Sequence, residues 1–417
     1  MNRGRISMEI ALVDLFSSGI NLADAFGERG VSTFHIYEPQ WQHQYDIDPA
    51  PGGKLIYRSF EQTRAELRRR GTTAVLPGGE MGVDLADRLA ASLGLPHNDL
   101  ALDGARRDKL KMIRAVESRG IPVAKTAVVS EASAVPAALE AFCSYPIVVK
   151  PSSSGGSDGL AVCDTPDQAA RAVAAILGRS NLLRITNESV VLQEYLSGPQ
   201  YSINMVTRNG RHALCSVALN RFDEFDGVPV WRSLRMLTEL NSDDKAVVEY
   251  TLRCLDALGV TEGASNTEVR FTAEGPRLIE VNSRLGGPVL PPDVFFRSFG
   301  YSQATLLADS VLDGNVFKDR VTAPYRPHQC LATVSLQTPS DGSIKAMPGL
   351  DLIRRMRTFH SFSKLPKKDT EVVNRLLNVA SAGVAYFVDP DPTAVIADVE
   401  RVHRLEDSAR LYEMTSV

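Results

Sequence analysis

Residues Thr267 to Gly287 read TEVRFTAEGPRLIEVNSRLGG. Two runs alternate apolar and polar positions on either side of a short segment holding Gly275, the pattern of a hairpin. A turn centred near Glu274 sets Glu268 directly across from Glu280. Like charges opposite one another destabilise a sheet, and burying them costs far more unless they are paired or hold a metal. Asn282 shares a face with Glu280, because side chains repeat every second residue. Two carboxylates and an amide oxygen form a hard, oxygen-only donor set that suits magnesium, which binds through a few carboxylates plus substrate phosphates. An edge hairpin would instead leave the carboxylates solvated and paired with Arg270 and Arg284. The hairpin alone leaves both readings open.

A second stretch, YPIVVKPSSSGGSDGLAVC, ends a strand at Lys150, turns through Ser, Gly and Asp, and resumes a strand at Leu160. Glycines at 155, 156 and 159 let backbone N–H groups converge on phosphate oxygens, and Lys150 adds a point charge. A flexible hairpin loop with a solvated lysine satisfies the same residues. The loop PGGEMG lies at the carboxyl end of a strand, where parallel sheets place ligands, and makes Glu80 a candidate; an acid favoured by a helix dipole is its plainer role. Neither GxxxxGK[ST] nor GxGxxG occurs. The seven histidines lack ligand spacing and read as structural or surface residues. The five cysteines are scattered and never in CxxC spacing, which excludes a disulfide framework or zinc site.

The elements that must position these residues follow from pattern and length. With 417 residues, 44% hydrophobic and 23% charged, the chain is an ordinary globular protein of two to four domains. Its net charge of −4 supplies no basic field for nucleic acid. No apolar run approaches a membrane span, and MNRGRISMEIALVDLF reads as a first strand and not a signal peptide. These are the habits of a cytoplasmic enzyme. Residues 8 to about 105 alternate strand and helix, giving a parallel α/β domain. A helix in RRDKLKMIRAVESRG ends at Gly120. SVVLQEYLSGPQYSINMVTRNGRHALCSVAL gives strands in a meander, with Glu194 ending the first and SGP as a hinge. The helix SDDKAVVEYTLRCLDALG leads to the hairpin, and the tail closes with the amphipathic helix TAVIADVERVHRLEDSARLYEM. Trp41 and Trp231 fall in loop-like segments and are expected to pack in the core, with packing on substrate the alternative for Trp231.

Taken in order, Lys109 in a helix, Lys150 before SSSGGSDG, QEYLSGPQYS and NTEVRFTAEGPRLIEVNSRLGG resemble the ATP-grasp superfamily of carboxylate–amine ligases over residues 105 to 310. The resemblance implies an N-terminal Rossmann-like domain (1–105), a small lobe or lid (106–195), a large lobe with the magnesium site (196–310) and a C-terminal part packed on it (311–417). It implies that Lys109 and Lys150 contact the α- and β-phosphates of ATP, and that Ser153, Ser154, Gly155 and Gly156 lie in the loop closing over them. Glu194, Tyr195 and Leu196 would line the adenine pocket. Glu268, Glu280 and Asn282 would hold magnesium, two ions, with manganese as a substitute. Arg284, with Lys150, would be catalytic, stabilising the transferred phosphoryl group or the substrate carboxylate.

Gly286, Gly287, Arg232, Asn266 and Glu80 would face substrate, Arg232 with Arg235 from the segment NRFDEFDGVPVWRSLR, where solvated arginines in a loop are the plainer reading. Relatives often carry an acid at Gln200 or Asn204 and a His at Asn266, so the ribose contact and the substrate assignment differ here. The spacing looks closest to L-amino-acid ligases that make dipeptides, of the bacilysin and dapdiamide synthetase kind, acting in antibiotic or other secondary-metabolite biosynthesis. Their substrates are a small carboxylic acid and an amino acid, with no nucleic acid and no membrane, and a homodimer is the family habit. Two other readings remain at this point: a bicarbonate- or nucleotide-pathway ligase on the same fold, and a non-catalytic nucleotide-binding protein.

Overall fold

The computed structural model describes residues 8–142, 144–153, 158–181, 184–225, 228–287, 290–373 and 382–415. The first part runs β1 (Glu9–Val13), α1 (Ile20–Glu28), β2 (Thr33–Tyr37), α2 (Gln42–Ile47), β3 (Lys54–Ile56), α3 (Phe60–Arg70), β4 (Thr72–Pro77) and α4 (Val83–Ser92). Its strands form a parallel sheet ordered β3-β2-β1-β4. Both faces are covered, as parallel sheets require. Ala11, Val13, Phe34 and Ile36 pack with Leu67 and Leu89 of α3 and α4. Ile10 and Leu12 face the other way, into a core shared with α1 and with residues from far along the chain.

The second part contains α5 (Lys109–Ser118), β5 (Thr126–Val129), α6 (Val135–Glu140), β6 (Ile147–Pro151), β7 (Ala161–Cys163), α7 (Pro166–Ile176) and β8 (Val190–Glu194). Four of these form an antiparallel sheet ordered β5-β8-β6-β7. Strand alternation divides its residues. Ile147, Val149, Val190 and Leu192 pack against α6 and α7, which turns Val148, Lys150 and Gln193 toward an open cleft on the other face.

The third part contains β9 (Gln200–Arg208), β10 (Arg211–Phe225), β11 (Val228–Met236), α8 (Ser242–Ala257), β12 (Glu262–Thr272), β13 (Gly275–Asn282), α9 (Pro292–Phe299), α10 (Gln303–Leu312) and α11 (Gly314–Thr322). The last contains β14 (Cys330–Ser335), β15 (Gly342–Ala346), α12 (Gly349–Arg354), β16 (Phe359–Ser363), β17 (Glu371–Val372), β18 (Val384–Asp389), α13 (Pro392–Asp407) and β19 (Glu413–Thr415). One eight-stranded antiparallel sheet, ordered β13-β12-β9-β10-β11-β14-β18-β16, takes strands from both parts. Under it, Tyr201, Ile203 and Met205 of β9 pack with Val247, Tyr250 and Leu255 of α8. A capping box of Asn241 and Asp244 starts α8.

Three expectations change. NRFDEFDGVPVWRSLR is not a loop: β10 continues to Phe225 and β11 starts at Val228, as a long hairpin. Strand β8 leaves the expected meander for the small sheet, while β9 and β10 pair in the large one. The closing helix stops at Asp407, and the remainder turns into β19. No described helix is long and apolar enough to cross a membrane.

Candidate active site

The β12–β13 pairing sets Glu268 opposite Glu280 and Asn266 opposite Asn282. Nearer the turn the register differs by one, with Val269 against Leu278 and Thr272 against Gly275, so Ile279 is the extra residue of a bulge. That bulge brings Ile279 and Glu280, consecutive residues, to the same cleft. It also re-aims Glu280 and Asn282 beside Glu268.

Two walls meet at this cleft, which has a volume of about 730 Å³. From the small sheet come Val148, Lys150 and Gln193, and from the large sheet Gln200, Ser202, Asn220, Asn266 and Glu268. Lys109, the first residue of α5, reaches Glu280 with an Nζ–Oε2 distance of 3.0 Å. Gln200 Nε2 donates to Glu268 Oε2 at 2.9 Å. Asn282 Nδ2 donates to Glu280 Oε1 at 3.1 Å. Lys150 donates to Gln193 Oε1 at 2.9 Å. Arg270 is held by the Gly198 carbonyl, and Arg284 donates to Glu80 at 2.8 Å. Neither arginine pairs with Glu268 or Glu280, so the carboxylates are not the solvated ion pairs of an edge hairpin.

The electrostatics follow from burial and crowding. Burial and the facing Glu280 push the Glu268 carboxyl up. Burial acts the same way on Glu280, but Lys109 and the Asn282 amide outweigh it and hold Glu280 low. Burial and then Lys109 pull the Lys150 ammonium down to about 8. Two crowded carboxylates of which one resists ionising, and a lysine short of an anion, make a site completed by a cation and a polyanion. Among the described residues no group of three or more His, Cys, Asp or Glu is placed to hold a metal ion. The donor set is thus two carboxylates and an amide, with coordination positions left for phosphate oxygens and water. These residues fit magnesium.

Residues 143–292 match the family model described as the ATP-grasp domain. The chain carries an ATP-grasp domain. It is 27% identical over 351 residues to dapdiamide A synthase of Enterobacter agglomerans, covering 81% of this chain and 82% of that one. It is 25% identical over 279 residues to a D-alanine–D-alanine ligase of Actinobacillus succinogenes, covering 65% and 82%. The fold is similar to that of an L-amino acid ligase from Bacillus licheniformis, with a TM-score of 0.76, 15% identity, and 98% and 99% of the chains covered.

Of the residues expected at the site, the ATP-grasp cleft brings together Lys109, Lys150, Glu194, Tyr195, Leu196, Asn266, Glu268, Glu280, Asn282, Arg284 and Gly287. The Glu194 carboxylate accepts from the Lys125 N–H, pinning it at the end of β8. Ser153 is not among the lining residues, and its carbonyl accepts from Asn181; Ser154, Gly155 and Gly156 lie outside the described residues. Gly286 lines an adjoining cavity against Asn204 and Gln303. Glu80 stands behind Arg284, with Arg107 4.0 Å away.

Arg232 is a correction. It is 1% exposed, and its guanidinium is committed to Asp223, Glu406 and Asp407. Strand alternation puts its neighbour Trp231 in the cleft instead, donating to Asn220. Trp41 is buried as expected, whereas Trp231 is partly buried, packing against a core cluster and also lining the cleft.

Sequence reasoning missed Gln193 and Ser202 and took Gln200 only as a departure from relatives. For Gln200 and Ser202 the signal was legible: in QYSINM the polar residues occupy every second position of an otherwise apolar strand, which marks a wetted face; Gln193, in VVLQE, carried no such alternation. Arg107 carried no such signal, because its place depends on the packing of separate parts.

Proposed function

We propose that this chain is an ATP-dependent carboxylate–amine ligase that joins a carboxylic acid, an amino acid or acyl-amino acid, to the amine of a second amino acid. The products are a dipeptide or related amide, ADP and phosphate. What carries this reading is the half-buried Glu268–Glu280 pair with the buried Asn282, facing Lys109 and Lys150 across one cleft. The similarity to two amide-forming ligases supports the reaction class.

The residues divide the work. Lys109 and Lys150 hold the α- and β-phosphates, and Glu194, Tyr195 and Leu196 border the base. Glu268, Glu280 and Asn282 would hold magnesium, two ions with manganese as a substitute, which when bound would supply charge that neutralises the phosphates. Arg284 is aimed at the transferred phosphoryl group, where a planar bidentate donor meets developing charge. A carboxylate oxygen attacks the γ-phosphorus and ADP leaves; the amine nitrogen then attacks the acyl carbon and phosphate leaves. Phosphoryl transfer asks the protein mainly for positioning and charge neutralisation, which is what this cleft offers. In the same reading the chain is a homodimer, which light scattering tests directly.

The experiment is nucleotide product analysis over paired amino acids and small carboxylic acids with Mg-ATP. ADP and phosphate should appear only with particular pairs, and Glu280→Gln should abolish them. AMP in place of ADP would overturn the mechanism, and ATP binding without turnover for any pair would sink the ligase reading.

A further inference from the structure

A groove of about 810 Å³ runs between α12 and the end of α13, in the C-terminal part. Four arginines line it, Arg355, Arg401, Arg404 and Arg410, against one acid, Asp407. The chain as a whole carries a net charge of −4, so this cluster runs against the average. Neighbouring arginines outside the groove are neutralised: Arg354 by Asp351 and Arg357 by Asp389. Inside it, Arg401 reaches Asp398 only at 3.5 Å. Arg355, Arg404 and Arg410 are exposed, and no carboxylate pairs with them among the described residues. Asp407 is turned to the buried Arg232, at 3.3 Å. Like charges held together without partners repel one another.

The floor is apolar. Leu352 is 42% exposed, and Leu405 and Met356 lie between the arginines. Arg401, Arg404 and Leu405 fall at helical spacings of three and four, forming one stripe on α13 that the C-cap Ser408 continues.

We propose that this groove docks an acidic, leucine-bearing segment of a partner protein. Guanidinium forks match carboxylates bidentately, and the exposed leucine floor rewards an apolar side chain between them. Charge complementarity selects an acidic occupant, and the floor separates a peptide from a bare polyanion. Nucleic acid fits less well, because the lining holds no aromatic ring for base stacking.

The test uses the full chain and a fluorescent peptide of Glu-Glu-Leu repeats, read by anisotropy at low salt. Arg355→Ser/Arg404→Ser/Arg410→Ser should weaken binding at least about tenfold, with an unchanged melting temperature. Gln-Gln-Leu and Glu-Glu-Ser peptides should bind the native chain no better than the acidic peptide binds the variant. Retention of the acidic peptide by the variant overturns the proposal. So does equal binding of the Glu-Glu-Ser peptide or of a single-stranded oligonucleotide, which would make the groove a plain polyanion surface. Should the triple variant melt early, Arg404→Ser alone carries the same readout.

Discussion

Lys150 is 6% exposed, and its ammonium rests on a neutral amide oxygen. Burial and the nearby Lys109 pull its pKa from 10.5 to about 8. Between those values the unfolded chain binds the proton that the folded chain has released, so stability rises as pH climbs from about 8 toward 10.5. At pH 7 the charged form is a liability. Lys150→Met should therefore stabilise the ligand-free protein at pH 7 by about 1–3 kcal/mol while weakening ATP binding about a hundredfold. Differential scanning fluorimetry and calorimetric titration read the two effects separately. Unaltered ATP affinity would remove Lys150 from the phosphate site. Asp14 is a second misfit, fully buried, with one carboxylate oxygen unpartnered and the other accepting from the Glu38 N–H. Burial, the dominant cause, raises its pKa from 3.8 to about 7. Here the folded chain keeps a proton that the unfolded chain loses, so stability falls as pH rises from about 4 to 7. Its φ of +53° is one that asparagine tolerates. Asp14→Asn should thus gain about 1–3 kcal/mol at pH 8 and almost nothing at pH 4, measured by urea unfolding at both. An equal gain at the two pH values would mean that ionisation is not the source of the strain.

At the scale of elements, the hairpin shows how pattern and pairing part company. A turn centred on Glu274 places Glu268 across from Glu280, and the two do face one another. The turn itself is tighter, closing Thr272 on Gly275, and a bulge at Ile279 restores the register. Alternation fixes which face a residue takes; it does not reveal an extra residue that shifts the count by one. The same limit applied to β10 and β11, where Asp, Asn and Gly masked a long strand pair whose stability comes from neighbours on both sides. Gly198, expected as a hinge before β9, has a φ of +110°. A Cβ there would stand 2.1 Å from the Phe271 carbonyl oxygen. Backbone of β12 and the β8–β9 link touch at this point, since the Phe271 N–H also donates to the Pro199 carbonyl. Gly198→Ala should cost about 2 kcal/mol or more in urea unfolding and raise the KM for ATP, because the link borders the cleft. A variant as stable as the native chain would show that the link yields freely.

Across the whole molecule, the two cleft walls come from separate sheets, and the N-terminal sheet adds the residue that holds the arginine between them. Sequence patterning shows the parallel first part and the strands of the rest. The eight-stranded sheet joining β11 to β14 is a pairing between residues about a hundred positions apart, and no local signal encodes such contacts. Glu80 belongs to this long-range class. It sits between β4 and α4, yet its carboxylate accepts from Arg284 of the segment after β13, with both side chains about one-fifth exposed. Arg284 Nη1 donates to its neighbour's carbonyl at Leu285, and Nη2 reaches Asn282 Oδ1 only at 3.5 Å. Glu80 therefore supplies the anchor that orients the guanidinium, and it does so from a distant part of the chain. A partly buried charge-assisted bond of this kind contributes about 1–3 kcal/mol. Glu80→Gln keeps the shape and one acceptor oxygen but loses the charge. It should lower kcat about tenfold while leaving the KM for ATP within about twofold, since no ATP-binding side chain has moved. Steady-state ADP release at saturating acid and amine measures both. A fall in melting temperature with kcat preserved would assign Glu80 to holding these two parts of the chain together. A fall in kcat with the melting temperature preserved would assign it to positioning Arg284, the outcome that this geometry requires.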